Sequence, residues 1–151
     1  MIRPATREDA AILARLRYEF RAGFGSVEEP ESEFVPRCER WVEQRLAAGD
    51  RWKAWIAESG QVAAGTIWLQ WIEKIPNPVA ELEWHGYITS LFVRETHRGK
   101  QLGTALLETA LAACRDRGVD AVILWPTPPS RSLYLRHGFT AGEDILELRS
   151  S

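Results

Sequence analysis

Apolar and polar positions along the chain follow two periods, and where one gives way to the other the elements can be drawn. Over residues 7–20, Ala10, Leu13, Leu16 and Phe20 recur at helical spacing. Thr6, with Asp9 three positions on, makes an acidic variant of a capping box at the start of that helix. A break rich in Gly, Glu and Pro over residues 23–30 leads to a second helical stretch from about Glu33 to Ala48, closed by Gly49-Asp50. From Trp52 the residues become β-branched and aromatic: Trp52, Trp55, Ile56 and Ala57, then Gly60, then residues 62–71, which predicts a hairpin. Lys74-Ile75-Pro76-Asn77-Pro78 interrupts the sheet, since proline cannot donate to a ladder, and a long strand follows over residues 82–93. A helix over residues 101–117 has Leu102, Leu106, Leu107, Ala110, Leu111 and Cys114 off its polar stripe and Gly118 as its C-cap. The apolar run of residues 119–125 reads as a central strand covered on both faces, stopped by Pro126. A short helix over residues 130–137 ends at Gly138, and Ile145-Leu146-Glu147-Leu148 is placed as a last edge strand. With a short N-terminal strand, the predicted order is strand, two helices, three strands, helix, strand, helix, strand, an α/β domain around a mixed sheet.

Composition narrows the function classes. A chain of 151 residues is one domain, numbered 1–151, that can bury about two thirds of its unfolded surface without metals or disulfides. Its 45% apolar and 26% charged residues are globular averages, which excludes fibrous and disordered classes. A net charge of -2 argues against a nucleic-acid partner. No apolar run approaches the ~20 residues a bilayer requires, so no membrane association is expected. The start Met1-Ile2-Arg3-Pro4-Ala5-Thr6 lacks an apolar export core, and a cytoplasmic location is expected. Cys38 and Cys114 have neither metal nor redox spacing, so both are expected to be reduced and structural, with no metal site.

The most informative segment is Val93-Arg94-Glu95-Thr96-His97-Arg98-Gly99-Lys100-Gln101-Leu102-Gly103-Thr104, a basic, glycine-containing turn from a strand into a helix start. Free N–H groups, the positive dipole end, Arg98 and Lys100 together form an anion site suited to phosphate. The Gly-x-Gly-x-x-Gly fingerprint is absent, and Gly99-Lys100 lacks the upstream glycine and following Ser/Thr of a Walker A loop. Taken alone, the segment is equally an ordinary glycine-capped turn. A period of two along the preceding strand puts Glu83, His85, Tyr87, Thr89 and Leu91 on one face. Of these, His85 can act as a base near neutral pH without a large shift, whereas a carboxylate such as Glu83 needs a raised pKa.

Downstream order adds to this. The turn resembles the acetyl-CoA pyrophosphate loop of the GNAT superfamily, Arg/Gln-x-x-Gly-x-Gly/Ala: Arg98 and Gly103 match in spacing, while Gln101 stands where the first glycine belongs. Thr89-Ser90-Leu91-Phe92-Val93 is similar to the strand that precedes this loop, and Leu133-Tyr134-Leu135-Arg136-His137-Gly138-Phe139 to the Leu-Tyr…Gly-Phe signature that closes the fold. The asparagine that many members carry before this last helix is replaced by Pro128, Pro129 and Ser130. The resemblance implies a GNAT-like domain with a mixed sheet of about six to seven strands flanked by about four helices. The sheet would splay between the strands ending near Val93 and Trp125, with pantetheine in the gap. Main-chain groups of Leu91 and Val93 would pair with the pantetheine amides, and the amides of Gly99, Lys100, Gln101, Leu102, Gly103 and Thr104 would hold the pyrophosphate. An N–H near Leu91 or Phe92 would receive the oxyanion. Tyr134 would protonate the CoA thiolate. His85, thirteen positions before Arg98, falls where some relatives carry a catalytic glutamate, and Glu83 is the second choice of base, acting through water.

The implied activity is an N-acetyltransferase that uses acetyl-CoA as co-substrate and acts on a primary amine of a small molecule or peptide by direct attack in a ternary complex. A non-catalytic acyl-CoA sensor and an interaction module are the rival readings, and a homodimer is compatible with either. Of the seven tryptophans, Trp68, Trp71 and Trp84 are candidates to line the acceptor pocket, and Arg131 to reach a CoA phosphate or an acceptor carboxylate. The run Glu28-Glu29-Pro30-Glu31-Ser32-Glu33 is placed to draw a cationic amine.

Overall fold

The structure, a computed structural model, describes residues 1–150. Strand β1 (Ile2–Pro4) pairs with β2 (Trp52–Ser59), β2 with β3 (Val62–Glu73) and β3 with β4 (Trp84–Val93), all antiparallel. The β2–β3 hairpin closes through Gly60-Gln61, with Gly60 at φ 65, the positive value that two-residue hairpin turns require. Strand β4 pairs in parallel with β5 (Ala121–Ile123), and α3 (Leu102–Arg117) is the crossover that a parallel pair needs. Helices α1 (Ala10–Ala22), entered through a 3-10 turn at Arg7–Asp9, and α2 (Glu31–Ala48) lie between β1 and β2 in sequence. Helix α4 (Arg131–Arg136) follows β5. No helix among the described residues is long and apolar enough to cross a membrane.

The strand alternation sorts side chains into two cores. Trp55 and Ala57 of β2, Ile67, Leu69 and Trp71 of β3 and Ile88 of β4 pack on one face against Leu106, Leu107, Ala110 and Cys114 of α3. Ala54, Ile56 and Trp68 point the other way, onto Ala10 and Leu13 of α1 and Val42 of α2. The entry to α1 is fixed electrostatically. The Asp9 carboxylate accepts from the Thr6 N–H at 2.8 Å and from both Nη atoms of Arg3 at 2.9 and 2.8 Å, while Arg3 Nε meets Glu58 of β2 at 3.0 Å. Arg3 holds the Asp9 carboxyl below its ordinary range, burial opposing and the Thr6 N–H adding.

Three expectations fail toward the end of the chain. The sheet has five strands among the described residues, in place of six to seven, in the order β1-β2-β3-β4-β5. Residues 145–148 form no strand, and Leu146 and Leu148 are 95% and 99% exposed. Glu147 instead accepts from the indole N–H of Trp125, a side-chain attachment that aligns no ladder. Consequently β5 is an outer strand of three residues rather than a central one, with Ala121 exposed.

Close packing between β4 and α3 is testable. A Cβ at Gly86 would lie 2.9 Å from Cys114 Sγ and 3.4 Å from Leu69 Cδ1. Gly86→Ala should cost about 1–3 kcal/mol by overpacking. Adding Cys114→Ala should recover most of it, a coupling that urea unfolding of the four variants measures; strictly additive losses would refute the contact.

Candidate functional site

The ladder between β4 and β5 is short. It comprises His85↔Ala121, Gly86↔Val122 and Tyr87↔Ile123, after which β4 runs on to Val93 with no parallel partner. Within this unpaired half, Thr66↔Phe92 and Trp68↔Thr89 leave an extra residue on β4, and Ser90 there adopts φ 58. The bulge reverses the phase of the strand. Tyr87 and Thr89 face α1 and α2, whereas Leu91 and Val93 pack against the α3-side core. The placement of Leu91 on the face of His85 is thus overturned, because uninterrupted alternation holds only up to the bulge. Gly65 supports it from β3: a Cβ there would stand 2.6 Å from the Phe92 carbonyl oxygen, a backbone atom that cannot step aside.

Beyond Val93 a 3-10 turn at Glu95–His97 leads to Gly99 (φ 82) and Gln101 (φ 60), the latter preceding α3 with no side-chain cap. The first helical bond runs from Ala105 N to Gln101 O. The amides of Gly99, Lys100, Gln101, Leu102, Gly103 and Thr104 donate to nothing among the described residues. Left-handed residues interspersed with right-handed ones turn successive N–H groups inward as an anion nest. Arg98 is held by its Nε donating to the Val93 carbonyl at 3.0 Å, so that carbonyl is taken while the rest of the guanidinium stays beside the turn. Neither Arg98 nor Lys100 meets a carboxylate among the described residues, whereas Arg94 is committed to Glu19 at 2.9 Å. A Cβ at Gly103 would point inward, 3.9 Å from Val93 Cγ2 and 3.9 Å from Leu133 Cδ2. The start of α3, the end of β4 and α4 therefore meet at one rim. A diphosphate fits this cradle of amides and cations.

The candidate proton-transfer residues sit apart. Tyr134, only 7% exposed, lies in the α3-side core with its ring edge-on to Phe139 at 5.6 Å. Burial raises its pKa, partly offset by the Ser130 hydroxyl. His85 belongs by alternation to the opposite face, and its Nδ1 is buried without a hydrogen-bond partner. Glu83 precedes β4 and is exposed. Tyr134 and His85 are not brought together; what lies between the two faces is the gap where β4 and β5 part.

On the His85 side, α1, α2, β2, β3 and β4 line a cavity of about 490 Å³ that opens to solvent. Helix α1 contributes Leu13 and Arg17, and α2 contributes Phe34, Arg37, Cys38 and Trp41. Trp52, Trp68, Tyr87, Thr89 and Ser90 line it from the sheet. Of the three tryptophans nominated from sequence, only Trp68 is here. Trp71 and Trp84 are on the far face, beneath the Arg117 guanidinium at 4.9 and 4.1 Å, because they have the opposite strand parity. Trp41 and Trp52 take their place, stacked edge-on at 5.3 Å. The glutamate run does not line the cavity, and Glu29 is bound by Arg37 at 2.6 Å. Arg131 is exposed and borders a separate hollow near Tyr134. Arg17 was legible as an anomaly, since it stands four residues after Leu13 on the buried stripe of α1. Cys38, half-buried, has its thiol pushed up by burial, with Arg17 and Arg37 pulling the other way. Cys114 is pushed up to about 11 by burial.

The model of the family described as Acetyltransferase (GNAT) family matches residues 14–139. A predicted acetyltransferase with acetyl-CoA from Clostridium acetobutylicum shares the fold at TM-score 0.82 and 24% identity, over 99% of this chain and 95% of that one. A GCN5-related N-acetyltransferase from Ralstonia eutropha JMP134 gives TM-score 0.82 at 27% identity, over 99% and 97% of the two chains. Glucosamine-6-phosphate N-acetyltransferase from Arabidopsis thaliana gives 0.72 at 21%, over 100% and 98%. No curated protein matches the chain.

The thiol environments set an expected labelling order. With its pKa near 11, Cys114 is thiolate in about one molecule in a thousand at pH 8. Iodoacetamide should therefore modify Cys38 slowly in the native protein and Cys114 only on unfolding, as peptide mass spectrometry would read; rapid native modification of Cys114 would contradict its burial.

Proposed function

The chain belongs to the GNAT family of acetyltransferases, and we propose that it transfers an acetyl group from acetyl-CoA to a primary amine by direct attack in a ternary complex. The observation that carries this reading is the run of six unpaired amides from Gly99 to Thr104 beside the half of β4 that lacks a parallel neighbour. In this reading those amides, with Arg98 and Lys100, hold the pyrophosphate. The edge of β4 at Leu91, Phe92 and Val93 offers main-chain groups to pantetheine where a strand would otherwise pair, the Val93 carbonyl excepted because Arg98 occupies it. An N–H near Leu91 or Phe92 receives the charge that develops on the acetyl oxygen.

Proton roles divide across the sheet. Tyr134 donates to the departing thiolate; with its pKa raised, the phenol stays protonated throughout the neutral and mildly alkaline range. His85, with a buried and unpartnered Nδ1, takes the proton of the amine through water, and the exposed Glu83 is the more distant alternative. The cysteines favour direct attack over an acyl-enzyme: Cys38 and Cys114 both have raised pKa values and are poor nucleophiles at neutral pH. The aromatic-lined cavity reaching Thr89 and Ser90 favours an enzyme over an acyl-CoA sensor, which has no need of an acceptor site.

Acetyl-CoA at 100 times its Kd should raise unfolding stability by about 2.7 kcal/mol, and no shift would sink the reading. Gly103→Val should raise the KM for acetyl-CoA, because its γ-carbons press on Val93 and Leu133 at the rim. Tyr134→Phe keeps the ring and its packing, so CoA affinity should persist while kcat falls by about 10²–10⁴-fold. Wild-type turnover by a folded Tyr134→Phe variant would reduce that residue to packing.

A further inference from the structure

The acceptor cavity carries an unbalanced charge. Arg17 lies on its wall with Nη1 donating to Ser90 Oγ at 2.6 Å, and no carboxylate among the described residues is within ion-pair distance of it. Its nearest ring, Phe20, stands 5.6 Å from the guanidinium carbon and cannot neutralise it. The acidic residue two positions further along α1, Glu19, is committed to Arg94. Burial, with Arg21 adding repulsion, lowers the pKa of Arg17, but a guanidinium keeps its proton at any working pH and so calls for an anion. The second cavity cation differs. Arg37 is gripped in a fork by Glu29, Nε to Oε2 at 2.7 Å and Nη2 to Oε1 at 2.6 Å, and is thereby neutralised. One uncompensated positive charge remains, in a chamber otherwise built from Trp41, Trp52, Trp68, Phe34 and Tyr87.

We infer that the acceptor is a free α-amino acid with an aromatic or large apolar side chain, its carboxylate on Arg17 and its side chain among the tryptophans. The inference rests on reading this cavity as the acceptor site. A single monoanion matches the single free charge, whereas a dianionic phosphate would be left half-compensated and a polycationic amine would be repelled. The α-position follows from where Arg17 is anchored. Ser90 is the bulge residue at which β4 has already left β5, so a carboxylate on Arg17 places the adjoining amine at the gap. There the amine nitrogen bonds to the acetyl carbon as the carbon–sulfur bond breaks. The amine proton leaves through water to His85, five positions back from Ser90 on β4, the thiolate gains one from Tyr134, and the products are an N-acetyl amino acid and CoA.

The test compares L-phenylalanine with phenylalaninamide, phenethylamine and O-phosphoethanolamine, by acetyl-CoA-dependent thiol release and by thermal shift in the presence of CoA. The wild type should prefer phenylalanine over its amide by about 10–100-fold in kcat/KM, the range of one charge-assisted contact. Arg17→Met should erase that preference, acid and amide then being used alike, and Arg17→Lys should keep part of it. A purely structural role for Arg17, pinning Ser90, would lower acid and amide together and leave their ratio unchanged, which overturns the proposal. Equal or better use of the amide or the decarboxylated amine by the wild type overturns it too, as does preference for the phosphate. Failure of acetyl-CoA to bind would instead remove the acetyltransferase reading, and the melting-point shift with phenylalanine against its amide would still decide whether Arg17 holds a carboxylate.

Discussion

From Ile88 onward β4 has a hydrogen-bonding neighbour on only one edge, and the site is arranged around that broken ladder. Backbone N–H and C=O groups inside a domain must find partners, so an edge opened within a sheet is kept open only if something else will satisfy it. Three features keep it open here. The left-handed Ser90 inserts an extra residue and redirects the strand; Gly65 lets β3 stay close to the bulged end; and Arg17 reaches from α1 to fasten the Ser90 hydroxyl. Helix α3 begins where β4 ends, so its uncapped amides stand at the mouth of the opening. Strand β5, three residues long, is the outer strand of the sheet among the described residues and leaves the end of β4 uncovered.

Local signals were read well from sequence, and long-range geometry was not. The apolar spacing of α1 and α3, the glycine stops at Gly49 and Gly118 and the hairpin at Gly60 are properties of neighbouring residues, and they appear where the pattern put them. The basic turn into α3 was legible because glycines, cations and a helix start share one segment. The bulge was not, since a serine at positive φ leaves no mark in a period-two pattern, and one inserted residue moves Leu91 to the other face. Only Trp68 of the three nominated tryptophans reaches the cavity, for the related reason that aromatic residues of both parities occur on β3, and only their partner helices decide which face is a cavity. The missing last strand shows the limit of a short apolar alternation: four residues with no partner edge lack the pairing that would order them.

Charge placement follows the same division. The turn before α3 keeps Arg98 and Lys100 free of carboxylates among the described residues, while Arg94, at the start of the same turn, is paired with Glu19, and Lys74 and Arg3 elsewhere on the sheet are paired with Asp120 and Asp9. Arg17 in the cavity is unpaired as well, and it is the more consequential case because it is partly withdrawn from water. An exposed lone cation is solvated at little cost, but a desolvated one destabilises the fold until an anion arrives. Its hydrogen bond to the bulge therefore links a structural task to an electrostatic demand that the rest of the chain leaves unmet.

The two faces of the sheet also bear on the order of events. The amide cradle and Tyr134 belong to the α3 side, and the cavity, like His85, belongs to the α1–α2 side. On the proposed reading, acetyl-CoA and the amine approach from opposite sides and share only the gap between β4 and β5, so neither must leave before the other binds. A protein-bound acyl group would be useful if one pocket had to serve both substrates in turn. Here the thiol that lines the cavity between the sheet and α1–α2, Cys38, has its pKa raised by burial and so offers little thiolate to accept an acyl group at neutral pH. Separate approaches and an unactivated thiol both favour the proposed direct attack of the amine on the thioester, with the opening in the sheet as the place where the two would meet.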